Sequence, residues 1–255
     1  MLLLPLDKSH DIAHQGAERY HRSFNRFELK YRLHYEQVKA FLGRIAEYVR
    51  PDPHNEALGF YPIVSLYYDS PDLVCFREKM NGLKFRRKVR IRLYNEDHNQ
   101  AFLEIKQRVD RTIQKRRARG PLGQIMSHLD LTEGRMDASS DDEVYGEAFF
   151  LVHERRLEPK IIVSYNREAY FGIYEPGLRI TVDKYLRYGK YIGDFDFSFC
   201  GGAFFLPHYD VILEVKFNDA IPLWLCNALN SFNFQQTRIS KYSKAVSCAF
   251  FKCSY

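Results

Sequence analysis

Charged and apolar residues alternate along several short segments of this chain. The pattern occurs in four segments, at residues 90–92, 104–108, 179–183 and 214–216. Because residues i and i+2 of a β-strand point to the same face, each segment predicts a strand with one charged and one apolar face. A single strand of this kind is typical of an ordinary sheet whose charged face lies in water. Repetition in four strands, with an excess of cations, favours a barrel whose interior is charged.

The cost of such an interior indicates what it contains. Arg90 and Arg92 stand two positions apart in the sequence, which in a strand separates them by about 6.6 Å. At an effective dielectric constant near 20, two like charges at that distance repel by roughly 2.5 kcal/mol. Burying each ion away from water costs several kcal/mol more. The interior must therefore be wet or filled by an anion, and a polyanion threaded through the barrel removes both costs.

The remaining pattern predicts one α+β domain over residues 26–255, preceded by an N-terminal extension at residues 1–25. Helical spacing of apolar residues, a proline near a first turn and a serine N-cap predict three helices, at residues 35–49, 222–232 and from Ser240 onward. Alternation and β-branched content predict seven strands. The predicted strands are residues 26–33, 63–68, 83–94, 101–109, 161–171, 178–186 and 210–217, and residues 189–207 are predicted as a loop with a short strand.

Between the fourth and fifth predicted strands the sequence indicates a mostly helical insertion. Ser139 and Ser140 are candidate N-caps of a helix whose apolar stripe includes Val144 and Leu151. The basic run at residues 115–119 is open to two interpretations, a nucleic-acid patch or a solvated loop. We expect the loop, placed at the mouth of the charged barrel.

Composition narrows the classes of function. The 255 residues carry a net charge of +6, which favours an anionic partner. No apolar run approaches the ~18 residues that a membrane span needs, so we expect a soluble, cytoplasmic protein. The nine histidines show no metal-ligand spacing. The five cysteines form no CxxC pair and are expected to be reduced, which argues against a zinc site or a disulfide framework; they are Cys75, Cys200, Cys226, Cys248 and Cys253.

The candidate chemistry lies in the alternating ionisable residues. Eight are cations, namely Lys30, Arg90, Arg92, Lys106, Arg108, Arg167, Arg179 and Lys216, and four are carboxylates, namely Glu28, Glu104, Asp183 and Glu214. Neither a Ser-His-Asp or Cys-His arrangement nor a Gly-rich phosphate loop accompanies them. Many cations with a few acids suit phosphoryl transfer, which depends on positioning and charge stabilisation. The acids would hold Mg²⁺ or Mn²⁺, which prefer carboxylate oxygen.

A series of motifs adds a resemblance to a known family. The motifs are ELKY at 28–31, SLYYDS at 65–70, KVRIRLYN at 88–95, FLEIKQR at 102–108, SYNREAYF at 164–171, LRITVD at 178–183, ILEVKF at 212–217 and SKYSKA at 240–245. In their order and spacing they resemble the catalytic domain of the vacuolar transporter chaperone (VTC) family, a polyphosphate polymerase domain among the CYTH-like triphosphate tunnel metalloenzymes. The resemblance implies an antiparallel β-barrel tunnel of about eight strands with helices packed outside.

The resemblance also implies roles for particular residues. The catalytic set would be Lys30, Arg90, Arg92, Lys106, Arg167, Arg179, Lys216 and Lys241, and the substrate-binding set Lys79, Arg108, Lys115, Tyr165, Arg238 and Ser240. Glu214 would bind Mn²⁺ or Mg²⁺. The residue pattern adds Glu28, Glu104 and Asp183 as further candidates, and it leaves open whether Glu104 and Asp183 are metal ligands or charge partners of Lys106 and Arg179. The implied reaction is transfer of the γ-phosphoryl group of ATP to a polyphosphate chain held in a basic tunnel.

One departure from the family pattern keeps alternatives open. CYTH relatives carry a first-strand motif Glu-x-Glu-x-Lys, and here Arg26 stands at the first Glu position. The loss of that carboxylate favours the polymerase branch over a hydrolase of triphosphate or nucleoside triphosphates. A non-catalytic polyphosphate-binding subunit is the third hypothesis. The expected ligands are ATP and inorganic polyphosphate or triphosphate, with a separate membrane partner protein as a further option and no nucleic acid.

Overall fold

The structure is a computed structural model that describes residues 26–55, 59–94, 100–110, 112–130, 143–197 and 202–251. Within these ranges, ten strands form one sheet. They are β1 (Arg26–His34), β2 (Val49–Pro51), β3 (Tyr61–Asp69), β4 (Phe85–Tyr94), β5 (Gln100–Val109), β6 (Thr112–Pro121), β7 (Glu158–Gly172), β8 (Arg179–Lys190), β9 (Ala203–Phe204) and β10 (Asp210–Asn218). All seven predicted strands are present, and β9 is the short strand expected in the loop.

Six helices accompany the sheet within the described residues. They are α1 (Tyr35–Arg44), α2 (Val74–Met80), α3 (Leu122–His128), α4 (Glu143–Glu154), α5 (Leu223–Ser231) and α6 (Lys241–Phe251). The three predicted helices correspond to α1, α5 and α6, and Val144 and Leu151 lie buried on α4. None of the described helices is long and apolar enough to cross a membrane.

The strands pair antiparallel in the order β1-β10-β8-β7-β3-β4-β5-β6, with β2 added beside β7 and β9 beside β8. The eight-strand path curls into a half-barrel. The curl brings Lys106 on β5 within electrostatic range of Glu28 and Lys30 on β1, although these strands are far apart along the path. The predicted antiparallel tunnel of about eight strands in an α+β domain is therefore confirmed.

The two faces of the curled sheet differ as the alternation predicts. On the convex face, Ile91 and Leu103 pack against α3 and α4, and Val182 and Val215 pack against α1 and α5. Fully burying a side chain of this size contributes about 1.5–3 kcal/mol. The charged residues of the same strands consequently face the concave side.

The last helix, α6, covers one end of this concave face. Its Tyr242 and Val246 pack with Tyr67 and Tyr165 of the inner surface. The Tyr242 hydroxyl donates to the buried carboxylate of Asp69, which also accepts backbone N–H groups at the start of α2. A fully buried carboxylate thus links α6 to α2 at this end of the tunnel.

Two local predictions are wrong. Helix α1 ends at Arg44, and Val49 begins strand β2 because it pairs with Gly172 and is buried. The basic run at residues 115–119 is the strand β6, which pairs with β5 along its whole length. Its outer positions are covered by α4, where Arg116 forms an ion pair with Glu147. The predicted extension at residues 1–25 and the predicted caps Ser139 and Ser140 lie outside the described residues.

Candidate functional site

Strand register brings the ionisable residues together on the concave face. Directly opposed pairs on neighbouring strands have their side chains on one face. Such pairs are Lys30 with Glu214, Glu28 with Lys216, Arg179 with Lys216, Arg167 with Asp183, Arg90 with Glu104, and Lys106 with Lys115. The alternating residues found in the sequence therefore form one continuous inner surface.

Glu214 lies where this surface is most crowded. One carboxylate oxygen accepts hydrogen bonds from Lys30 (2.9 Å) and Lys241 (2.8 Å), and the other accepts from Lys216 (2.6 Å). Burial alone would raise the pKa of this carboxyl, but these three ammonium groups, with Arg167, hold it well below its ordinary value. Glu214 is therefore an anion surrounded by cations. A phosphate group could attract the same cations as Glu214 does.

Asp183 is a second acid with a different environment. Its side chain is fully buried and accepts two parallel bonds from the Arg167 guanidinium, at 2.6 and 2.8 Å, as well as an ion pair from Lys241. Burial opposes ionisation, but Arg167 and Lys241 lower the pKa of the carboxyl. A bidentate pair fixes the plane and direction of the guanidinium. In this state Asp183 orients two cations of the inner surface.

Glu104 holds the cations of the opposite wall in the same way. It is 1% exposed and lies 2.6 Å from Arg90 and 3.8 Å from Arg92, and it also forms an ion pair with Lys115. Burial would raise the pKa of Glu104, yet Arg92, Arg90 and Lys115 lower it strongly. Arg90 donates in addition to the Tyr67 hydroxyl at 2.8 Å. Two arginines and a lysine are thus fixed by one buried acid.

Arg179 depends on an acid that the sequence pattern does not reveal. Its guanidinium donates to Asp52 at 3.0 Å and to the Tyr61 hydroxyl at 3.2 Å. Asp52 follows β2 in a turn and is 2% exposed. It lies outside every alternating segment, so only the fold brings it beside the inner surface.

Helix α6 brings further predicted residues to this surface. The Ser240 hydroxyl accepts a hydrogen bond from the Ser243 backbone N–H at 3.3 Å, as an N-cap does. The Lys241 ammonium lies 5.0 Å from the centre of the Tyr165 ring, and the Arg167 guanidinium carbon lies 5.3 Å from the same ring. Tyr165 and Lys241 therefore adjoin the Glu214 cluster.

A second group of cations lies near the end of strand β5. Burial, together with Arg86, Arg108 and Arg238, lowers the pKa of Lys79. Burial of the Lys106 ammonium among the strands, with Lys30 and Arg90, outweighs the opposing effect of Glu28 and lowers the pKa of Lys106 to about 8. Lys79, Lys106, Arg108 and Arg238, all predicted from sequence, thus lie on a strongly positive part of the tunnel.

Sequence reasoning missed some inner cations, among them Lys88, Arg86 and Arg117. Burial lowers the pKa of Lys88 to about 7, and its ammonium lies 4.1 Å from the centre of the Tyr242 ring. Its signal was available, because Lys88 stands two positions before Arg90 and therefore shares its face. The structure brings the predicted site residues to one surface, and the roles predicted for them remain predictions.

The carboxylates limit how a metal could be held. Within the described ranges, no three His, Cys, Asp or Glu side chains cluster as a metal site. Glu28 and Glu214 share Lys216, at 3.3 and 2.6 Å, so two carboxylates lie on one patch of the surface. Mg²⁺ is usually bound by one or two carboxylates together with substrate phosphates and water. The donor set therefore fits a divalent ion that arrives with phosphate.

A curled antiparallel sheet with a cation-lined interior defines a protein of the tunnel class. The family model of the VTC domain matches residues 25–250. The chain belongs to the VTC domain family, as its motifs predict. A search of the curated proteins gives no match.

Solved structures similar to this chain include three from different organisms. A protein from Bacillus halodurans assigned as an adenylate cyclase has a TM-score of 0.48 and 14% identity, over 84% of this chain and 92% of its own. A protein from Hippeastrum assigned as an adenylyl cyclase, described as having a dominant triphosphatase activity, has a TM-score of 0.48 and 13% identity, over 88% and 96%. A Pyrococcus horikoshii protein has a TM-score of 0.40 and 14% identity, over 85% and 97%.

Proposed function

We propose that this protein transfers the γ-phosphoryl group of ATP to the end of a polyphosphate chain held in the tunnel. A terminal oxygen of the chain attacks the γ-phosphorus, the bond from that phosphorus to the β,γ-bridging oxygen breaks, and ADP leaves. The observation that carries the proposal is the Glu214 cluster, in which one buried acid accepts from three ammonium groups on a wall rich in cations.

The cluster suits an exchange of partners on substrate binding. Phosphate oxygens can accept from Lys30, Lys216 and Lys241, the groups that now bond to Glu214. The Glu214 carboxylate oxygens are then released for another partner. Mn²⁺ or Mg²⁺ held there by Glu214, with Glu28, Glu104 or Asp183 as further candidates, would neutralise charge on the phosphates.

The arginines supply a different contribution. Arg90, Arg92 and Arg167 are held by buried acids before any ligand arrives. Guanidinium groups fixed in advance stabilise charge that develops on transferring phosphoryl oxygens without having to reorganise. Arg179, held by Asp52, would act in the same way.

The test is incubation of the purified protein with γ-labelled ATP and Mn²⁺, with products resolved on a gel. We expect a ladder of long labelled chains together with ADP. Glu214→Gln should abolish the ladder and leave the far-ultraviolet circular dichroism unchanged, whereas Glu154→Gln, on an exposed position of α4, should behave like the wild type. A full ladder from Glu214→Gln would refute the assignment of Glu214.

A second candidate is hydrolysis of triphosphate or nucleoside triphosphate on the same wall. Glu28 favours it, because its side chain is 21% exposed and shares Lys216 with Glu214, so it could position a water. In that case label appears only as free phosphate, and Glu28→Gln lowers phosphate release at least tenfold. If phosphate release is unchanged in Glu28→Gln, this acid is not the base. A protein that binds polyphosphate without turnover would support the binding-subunit alternative.

A further inference from the structure

Aromatic and guanidinium groups lie in contact with one another at one end of the concave face. Tyr61 and Arg179 begin their strands, Tyr94 ends β4, and Phe102 lies near the start of β5. Because neighbouring strands are antiparallel, these positions fall at the same end of the sheet, and their register places them on the concave face. We name this set, with Arg117 and Phe171, the aromatic band.

The contacts within the aromatic band are continuous. The Arg117 guanidinium carbon lies 4.9 Å from the centre of the Phe102 ring, and Phe102 meets Tyr94 edge to face at 5.4 Å. Tyr94 and Tyr61 follow at 6.4 Å, and Arg179 bonds to the Tyr61 hydroxyl. Arg179 also lies 5.2 Å from the centre of the Phe171 ring. Arg117 is exposed and both Phe102 and Tyr94 are partly exposed, so a ligand can reach the band.

The band leads directly to the phosphate-binding arginines. Arg92 donates to the Tyr94 hydroxyl at 3.3 Å, and Tyr94, Arg92 and Arg90 occupy successive inward positions of β4, about 6.6 Å apart by strand rise. A ligand whose aromatic part lies at Tyr94 and Phe102 therefore extends its charged part along Arg92 and Arg90. A nucleoside triphosphate has this arrangement of parts.

We propose that the aromatic band binds the base of the nucleoside triphosphate, by stacking on Phe102 and Tyr94 and on the Arg117 guanidinium. Any nucleobase can stack on an aromatic side chain or on the plane of an arginine guanidinium, because every base has a π-face. The band thus selects a nucleotide as phosphoryl donor over inorganic triphosphate without selecting one base strongly. This inference rests on the proposed function in one respect, namely that the phosphoryl donor is a nucleoside triphosphate.

Binding without turnover tests the inference. The affinities of ATP and of tripolyphosphate for the full chain are measured by calorimetry in EDTA. Phe102→Ala should weaken ATP binding about tenfold, the usual effect of removing one stacking partner, and leave tripolyphosphate binding unchanged. Phe150→Ala, which removes an exposed phenylalanine of α4, is the matched control and should change neither affinity.

A second variant keeps the test decisive if Phe102→Ala does not fold. Arg117→Lys keeps the charge and removes the planar guanidinium, so it should weaken ATP several-fold and spare tripolyphosphate. Equal losses for both ligands, or no loss for either, would overturn the inference. If the variants lose affinity for ATP but not for tripolyphosphate, and the protein makes no labelled chains from ATP, the proposed polymerase is refuted and the base site is supported.

Discussion

The replacement Asp183→Asn probes how strongly the buried acids hold the tunnel cations. The wild-type carboxylate is fully buried and accepts bonds at 2.6 and 2.8 Å from Arg167, together with the ion pair from Lys241. The amide keeps the shape and one acceptor oxygen but removes the charge. Arg167 and Lys241, whose side chains are 9% and 10% exposed, then keep Glu214 as their remaining shared counter-ion, at 3.8 and 2.8 Å.

Breaking a buried ion pair on one side typically costs 3–5 kcal/mol, and we expect about 3 kcal/mol because the amide remains a partial acceptor. For a domain of this size that corresponds to a fall in melting temperature of about 6–12 °C. The control is Asp210→Asn, which breaks the pair of Asp210 with Arg32, a side chain that is 36% exposed. A pair of that kind contributes about 0–1 kcal/mol.

The pH dependence supplies a second readout. Arg167 and Lys241 overcome burial and lower the pKa of Asp183 in the folded state, so its contribution is complete above the unfolded pKa of about 3.9 and is lost as pH falls towards the folded value. Unfolding in guanidinium chloride is measured at pH 7 and at pH 3. The difference in the free energy of unfolding between wild type and Asp183→Asn should be smaller at pH 3. A loss below about 1 kcal/mol, a loss equal to that of Asp210→Asn, or a difference independent of pH would refute the reasoning.

Two further predictions concern the tunnel and its closing helix. The pKa of Lys106 is lowered to about 8, so its charge is lost between pH 7 and pH 9, and tripolyphosphate should bind more weakly at pH 9; Lys106→Arg, which stays charged, should flatten this dependence in calorimetric titrations. Tyr242→Phe removes the donor to Asp69 and should lower the free energy of unfolding by about 1–2 kcal/mol; an unchanged denaturation midpoint would contradict that role.

Much of the inner surface could be predicted from strand periodicity alone. Charged residues two positions apart, as in Arg90 and Arg92, must share a face, and apolar neighbours such as Ile91 decide which face packs on helices. Strand β6 was not predicted, because apolar residues do not alternate along its outer positions. Arg116 occupies one of them and is satisfied by Glu147 rather than by burial in the core. An edge strand covered by polar contacts has no period-2 hydrophobic signal.

The partners of the predicted cations could not be inferred from sequence. Asp52 meets Arg179 across 127 residues and comes from a turn, where no periodicity applies. Glu104 and Asp183 were predicted as metal candidates because they alternate with cations in the sequence, and only the fold reveals that they are buried and pair with cations of other segments. Local pattern determines which face a side chain occupies, whereas its depth depends on neighbouring strands and on α6.

Depth separates the acids into two kinds with different consequences for chemistry. Asp52, Glu104 and Asp183 are at most 2% exposed, and each holds at least one tunnel cation in a fixed direction. The side chain of Glu28 is 21% exposed, and that of Glu214, at 5%, is enclosed mainly by lysines. Lysine ammonium groups are flexible point charges, unlike guanidinium forks held in bidentate pairs. The arginine walls are therefore arranged in advance, and an exchange of partners with an incoming phosphate would be concentrated at Glu214.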